Sequence, residues 1–110
     1  MKFDVLPEFA REFHRLAKKY RSLPNDLEEL KRVLIIKPLG TGKHFTTITR
    51  QENIYILKAR LFCLYLKGSS LRIIYACHLA VSRVEFIEIY FKGEKENENR
   101  ERIKEYLKSF

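Results

Sequence analysis

The side chains that could do chemistry in this 110-residue chain are cations set at alternate positions within apolar runs. Along the run that starts at Ile54, the residues Ile54, Ile56, Lys58, Arg60 and Phe62 share one face of an extended strand, and Tyr55, Leu57, Ala59, Leu61 and Cys63 share the other. Arg72, Ile74 and Ala76 alternate with Leu71, Ile73 and Tyr75, and Glu88, Tyr90 and Lys92 alternate with Ile87, Ile89 and Phe91. Aligning the apolar faces brings Lys58, Arg60, Arg72, Tyr90 and Lys92 onto one open side of a sheet, with Glu88 the one acid among them. A polar outer face is normal for an antiparallel sheet, but charge that serves solubility mixes its signs. Four cations and a tyrosine instead suit a phosphate backbone, whose oxygens Arg and Lys bind and whose bases a Tyr ring stacks.

The distribution of charge supports that chemistry. The chain has 22 Lys+Arg against 14 Asp+Glu, a formal net charge of +8. Between Leu30 and Val84, the ten bases Lys31, Arg32, Lys37, Lys43, Arg50, Lys58, Arg60, Lys67, Arg72 and Arg83 face a single acid, Glu52, so this window carries +9 while both flanks are nearly neutral. A field of one sign draws in a polyanion. Nucleic acid is the first partner this suggests and an acidic protein segment the second. Lys43, Arg50, Lys67 and Arg83 are expected to add contacts to a nucleic-acid backbone. Cys63 and Cys77 fall in apolar, strand-like segments without CxxC or Cys/His ligand spacing, so both read as buried thiols and no metal or cofactor is expected.

These residues need elements to position them. Lys2 to Leu6 reads as a short strand stopped by Pro7. A helix follows, with Pro7 and Glu8 in its first turn and Phe9, Phe13, Leu16, Ala17 and Tyr20 on one face. A second helix begins near Ser22-Leu23-Pro24-Asn25, where Asn25 and Glu28 have the spacing of a capping box, and it runs through Leu27, Leu30, Val33 and Leu34 until Pro38 and Gly40 end it. Residues 37–51, with two glycines and four threonines, show no period and are expected to form a mobile basic loop. Three strands, Asn53 to Leu66, Leu71 to His78 and Val84 to Phe91, are joined by connections short enough for hairpins. After Gly93 the chain is polar, but Ile103, Tyr106, Leu107 and Phe110 fall at helical spacing and read as core. The expectation is one α+β domain over 1–110: an N-terminal strand, a two-helix hairpin, a three-stranded antiparallel sheet and a C-terminal helix. No apolar run reaches the roughly 18–20 residues that span a bilayer, and no signal-peptide core follows Met1, so the cytoplasm is the expected compartment.

Three segments in this order carry a family resemblance: Ile54-Tyr55-Ile56-Leu57-Lys58-Ala59-Arg60, Gly68-Ser69-Ser70-Leu71-Arg72-Ile73-Ile74-Tyr75 and Ile87-Glu88-Ile89-Tyr90-Phe91-Lys92-Gly93-Glu94-Lys95. The chain resembles the RelE/ParE superfamily of toxins from bacterial type II toxin–antitoxin systems, with RelE/HigB-like features, over nearly its whole length. The resemblance implies a small toxin neutralised by a cognate antitoxin in a hetero-oligomer, the antitoxin covering part of the sheet or displacing the C-terminal helix. RelE-like members cut mRNA in the ribosomal A site without a metal and so inhibit translation. ParE-like members poison DNA gyrase, and a degenerate member would keep only antitoxin binding. Lys58, Arg60, Arg72 and Lys92 match the basic strand positions that RelE-like members use on mRNA, and Tyr90 belongs to the same catalytic set. Cleavage by 2′-hydroxyl attack needs a base, an acid and positive charge at the phosphorane-like oxygens. Ile56 stands where the family pattern has the first of two paired lysines, and Asn97 and Asn99 stand where it has a tyrosine. His44, His78 and Tyr90 are then the groups available for acid–base work.

Overall fold

The computed structural model describes residues 1–110, apart from the side chain of Ser69. Strand β1 (Lys2–Val5) leads into helix α1 (Pro7–Lys19), which has Pro7 at its start, Glu8 in the first turn and Lys18 and Lys19 in the last. Both charge placements favour the helix dipole. Helix α2 (Leu23–Ile36) begins at Ser22, not at the expected Asn25. The reason is tertiary: the Ser22 hydroxyl donates to Asp26 Oδ2 at 2.7 Å and accepts from the Tyr65 amide at 2.9 Å, so the start of α2 anchors the turn after β3.

Four further strands follow: β2 (Phe45–Gln51), β3 (Ile54–Cys63), β4 (Gly68–His78) and β5 (Arg83–Phe91); helix α3 (Arg100–Lys108) comes last. They form one five-stranded sheet in the order β1-β5-β4-β3-β2. This corrects the expected three-stranded antiparallel sheet at both edges. β1 pairs in parallel with β5, Lys2 opposite Arg83 and Val5 opposite Phe86. At the other edge, the segment expected as a mobile loop pairs antiparallel with β3 from Phe45 opposite Ala59 to Gln51 opposite Ile54. The run Thr46-Thr47-Ile48-Thr49 is β-branched throughout and suits a strand, and Glu52, with φ of 55°, makes the two-residue turn to β3. The approach to β2 is fixed as well. Tyr75 donates its hydroxyl to the Pro38 carbonyl at 3.0 Å, and a Cβ on Gly40 would sit 2.1 Å from the Phe45 ring, so only glycine allows that contact.

One sheet face is closed by α1 and α2, where Phe9, Leu16, Leu23, Leu30 and Leu34 pack on Leu57, Ala59, Ile73, Tyr75 and Phe86. Cys63 and Cys77 are buried on this side as free thiols. The other face was expected to be open, and half of it is not: α3 lays Ile103 and Tyr106 on Ile56, Ile74, Ala76, Ile87 and Tyr90. A bulge makes room for this. β4 and β5 slip register between Ile74 and Tyr75, so that Ile74 faces Glu88 and Tyr75 faces Phe86. Ile87 is the residue left over, and it turns to the α3 side rather than joining Ile89 as strict alternation predicts. Among the described residues, no helix is long and apolar enough to cross a membrane.

Candidate functional site

The end of the sheet that α3 leaves open is a row of cations in register. Arg60 on β3 lies directly opposite Arg72 on β4, and Arg72 lies opposite Tyr90 on β5. Lys58 lies two residues before Arg60, with Thr46 of β2 across from it. Lys92 follows β5, its amide donating to the Ser70 carbonyl at 2.9 Å. A single 3₁₀ turn, Gly42–His44, brings Lys43 and His44 to the rim. Together Lys43, His44, Thr46, Lys58, Arg60, Arg72 and Lys92 line a pocket of about 240 Å³ with no acid in its wall. Like charges directly opposite one another on a sheet destabilise it, so this arrangement works against folding and in favour of an anion. Arg72 registers the crowding: partial burial and then the Arg60 charge lower its pKa, and Tyr90 opposes them. His44 and Arg60 also line a more apolar groove of about 430 Å³ against Leu30 and Val33 of α2.

Lys58 has a buried acid beside it. Its Nζ donates to Glu98 Oε1 at 3.0 Å, and Arg100 approaches the other oxygen at 3.3 Å. Glu98 comes from the loop between β5 and α3. Burial alone would raise its pKa, but hydrogen bonds from its own backbone amide and from Lys58, with the Lys58 and Arg100 charges, bring it below the usual carboxylate value. Neither Glu98 nor Thr46 was singled out by the sequence. Thr46 follows once 45–51 is read as a strand facing Lys58, whereas the alternating charges of 94–98 are the only signal for Glu98.

The other expected residues lie elsewhere. Tyr90 is 4% exposed, beneath the α3 lead-in, with Lys95 Nζ 5.5 Å from its ring centroid, so its face is not open for stacking a base. Burial, reinforced by the Glu98 and Glu88 charges, pushes its hydroxyl up to about 12. Arg50 lies over the Tyr55 ring at 4.6 Å, on the side of the sheet packed by α1 and α2. Lys67 is exposed in the β3–β4 turn, outside the pocket wall. Arg83 and His78 face each other at the far end of β4 and β5. Arg83 donates to Asp4 at 3.0 Å and to Glu85 at 2.9 Å. Tyr106 donates to Glu85 at 2.8 Å, and its oxygen lies 2.6 Å from His78 Nε2, which therefore carries the proton in that contact. Six residues of strand, roughly 20 Å, separate His78 from Arg72, so of the two candidate histidines only His44 reaches the pocket.

The α3 lead-in and helix are held by charge as much as by apolar contact. Lys95 pairs with the buried Glu88, and the Asn99 amide donates to the same carboxylate at 2.8 Å. Asn99 caps α3 by accepting from the Arg102 amide at 3.1 Å. Arg102 grips Glu12 of α1 through two bonds, at 2.9 and 2.8 Å, and donates to the Ile87 carbonyl at 3.0 Å. Asn99, which stands where the family pattern has a tyrosine, is thus a helix cap, and Ile56, which stands where it has a lysine, is core.

No family model matches the chain, and no curated protein matches it. Among solved structures, a chain in the crystal structure of the archaeal RelE–RelB complex from Pyrococcus horikoshii OT3 is similar, with a TM-score of 0.64 and 14% sequence identity over 84% of this chain and 94% of that one. The chain has a RelE-like α+β fold.

Proposed function

We propose that this protein is the toxin of a toxin–antitoxin pair and acts as a ribosome-dependent mRNA endonuclease that inhibits translation. The observation that carries the reading is the acid-free pocket wall of Lys43, Lys58, Arg60, Arg72 and Lys92 on a RelE-like fold. Cleavage by an RNA chain's own 2′-hydroxyl needs no metal, only charge for the phosphorane-like oxygens and groups that move protons. Arg60 and Arg72, side by side, suit two non-bridging oxygens of one phosphate, and Lys58 and Lys92 flank them. His44 is the lining side chain that can both accept and donate a proton, and so takes the acid–base role. An acidic antitoxin segment fits the same surface by charge, and the solved RelE–RelB complex supports such a partner.

Primer extension on a reporter mRNA after induction tests this. Cuts at fixed codon positions, lost with Arg72→Ala, support the endonuclease. Intact mRNA with broken or supercoiling-defective DNA would move the reading to a gyrase-directed toxin, and normal growth without any antitoxin would point to a module that only binds.

A further inference from the structure

A lysine reaches its target on a flexible four-carbon stem, so a pocket lysine must be held in place to meet a phosphate reproducibly. Lys58 has Arg60 two positions away on its own face and Arg72 opposite Arg60, and both repel its ammonium toward water. Glu98 counters them. Its side chain is only 3% exposed, and its oxygen lies 3.0 Å from Lys58 Nζ. The backbone that carries Glu98 is fixed on its C-terminal side: Asn99 is bonded to Glu88 through its amide and caps α3 through its side chain, and Arg102 is bonded to Glu12 and Ile87.

We propose that Glu98 is a positioning residue, whose carboxylate holds the Lys58 ammonium in the pocket wall where a bound phosphate meets it and ties that alignment to the seating of α3. The role deepens the nuclease reading and rests on it. It also makes a prediction of opposite signs. Removing a negative charge beside the pocket strengthens attraction for RNA, while releasing Lys58 slows the chemical step. A merely structural carboxylate would, on removal, lower the melting temperature and worsen binding and turnover together.

The test uses the full chain with Glu98→Gln, Glu98→Asp and, as a control, Glu101→Gln, whose acid makes an exposed pair with Lys104 on α3. Single-turnover cleavage is measured on programmed ribosomes, and affinity with a non-cleavable 2′-deoxy oligonucleotide. Glu98→Gln should lower the cleavage rate at least about tenfold, the scale of a misplaced catalytic group, with affinity equal or higher. Glu98→Asp should fall between, and Glu101→Gln should match the wild type. Wild-type cleavage by Glu98→Gln, or parallel loss of rate, affinity and melting temperature, overturns the proposal. Intact mRNA with the wild-type protein overturns the nuclease reading instead, and the Lys58 side-chain NMR signal then decides. Oligonucleotide should shift that signal in the wild type and much less in Glu98→Gln; an equal response in both overturns the positioning role.

Discussion

The α3-covered and open ends of one sheet face are built from the same three strands in the same pleat, yet they are finished in opposite ways. Under α3, Ile56, Ile74, Ala76 and Ile87 are fully buried; two to four residues along the same strands, Lys58, Arg60 and Arg72 line an open pocket. Length accounts for the division. A nine-residue helix is about 14 Å long, whereas strands of nine to eleven residues run about 30 Å, so α3 can cover only half of the face. The uncovered half could carry mixed polar residues at little cost. Instead it concentrates one sign of charge, with Arg60 directly against Arg72, an arrangement that folding alone would disfavour.

The sharpest way to break the contrast is to give the covered half a cation. Ile56→Lys should cost on the order of 5 kcal/mol at pH 7, because a lysine buried there is driven to lose its proton. Its pKa would be lower in the folded than in the unfolded state, so stability should recover as pH rises toward 10, which urea titrations at pH 7 and pH 10 will show. A loss under about 1 kcal/mol would mean that α3 does not seal this half. Arg72→Ala makes the complementary change. Cleavage should fall by about 10²–10³, roughly 3–4 kcal/mol of lost transition-state stabilisation. Its melting temperature should stay nearly unchanged, since the relieved repulsion with Arg60 offsets the loss of contacts such as the bond to the Leu71 carbonyl; a protein that melts early but still cleaves would reverse the roles of the two halves.

Smaller effects sharpen the comparison. Tyr106→Phe leaves Glu85 and His78 each one partner short in the covered half, for a loss of about 1–3 kcal/mol in urea unfolding with cleavage unchanged. The smallest expected effect is a pH dependence. Burial, and then the Arg83 charge, hold the His78 pKa below the ordinary histidine value, with Glu85 opposing. The unfolded chain therefore binds the proton more readily, and stability should fall as pH drops below about 6.5, by less than about 1.4 kcal/mol per pH unit. His78→Gln should flatten that slope in melting curves between pH 5 and 7.5.

What could be read from the sequence follows from which interactions are local. Alternation along β3 placed Lys58 and Arg60 correctly on one face, because side-chain period depends only on the strand itself. The α1 face of Phe9, Phe13 and Leu16 was legible for the same reason. Partnership between distant segments was not. Nothing in Lys2–Val5 says that it will pair in parallel beside β5, and the bulge that turns Ile87 toward α3 exists only once β4 and β5 are paired. Tyr90 looked like an open stacking platform because its cover, the loop after Gly93, is polar and offers no apolar period. That loop is seated by Lys95–Glu88 and by Glu98–Lys58, the second a pairing across 40 positions that no window of sequence reveals. The pocket's cations were therefore largely legible, and the acid that orders one of them was not.

The parallel pairing of β1 bears on how the chain folds. β2 to β5 form a meander in which each strand meets the next across a short turn, but Lys2 reaches Arg83 only by closing a loop of about eighty residues, at an entropic cost of about 4 kcal/mol. Such non-local contacts form late and slow the reaction. β1 also holds Asp4, which binds Arg83; Arg83 binds Glu85, and Glu85 receives the hydroxyl of Tyr106 on α3. Docking of the first strand and of the last helix is thus relayed through one string of polar contacts. Their amides should exchange with solvent as a single cooperative unit, rather than fraying independently, one at the edge of the sheet and the other on its face.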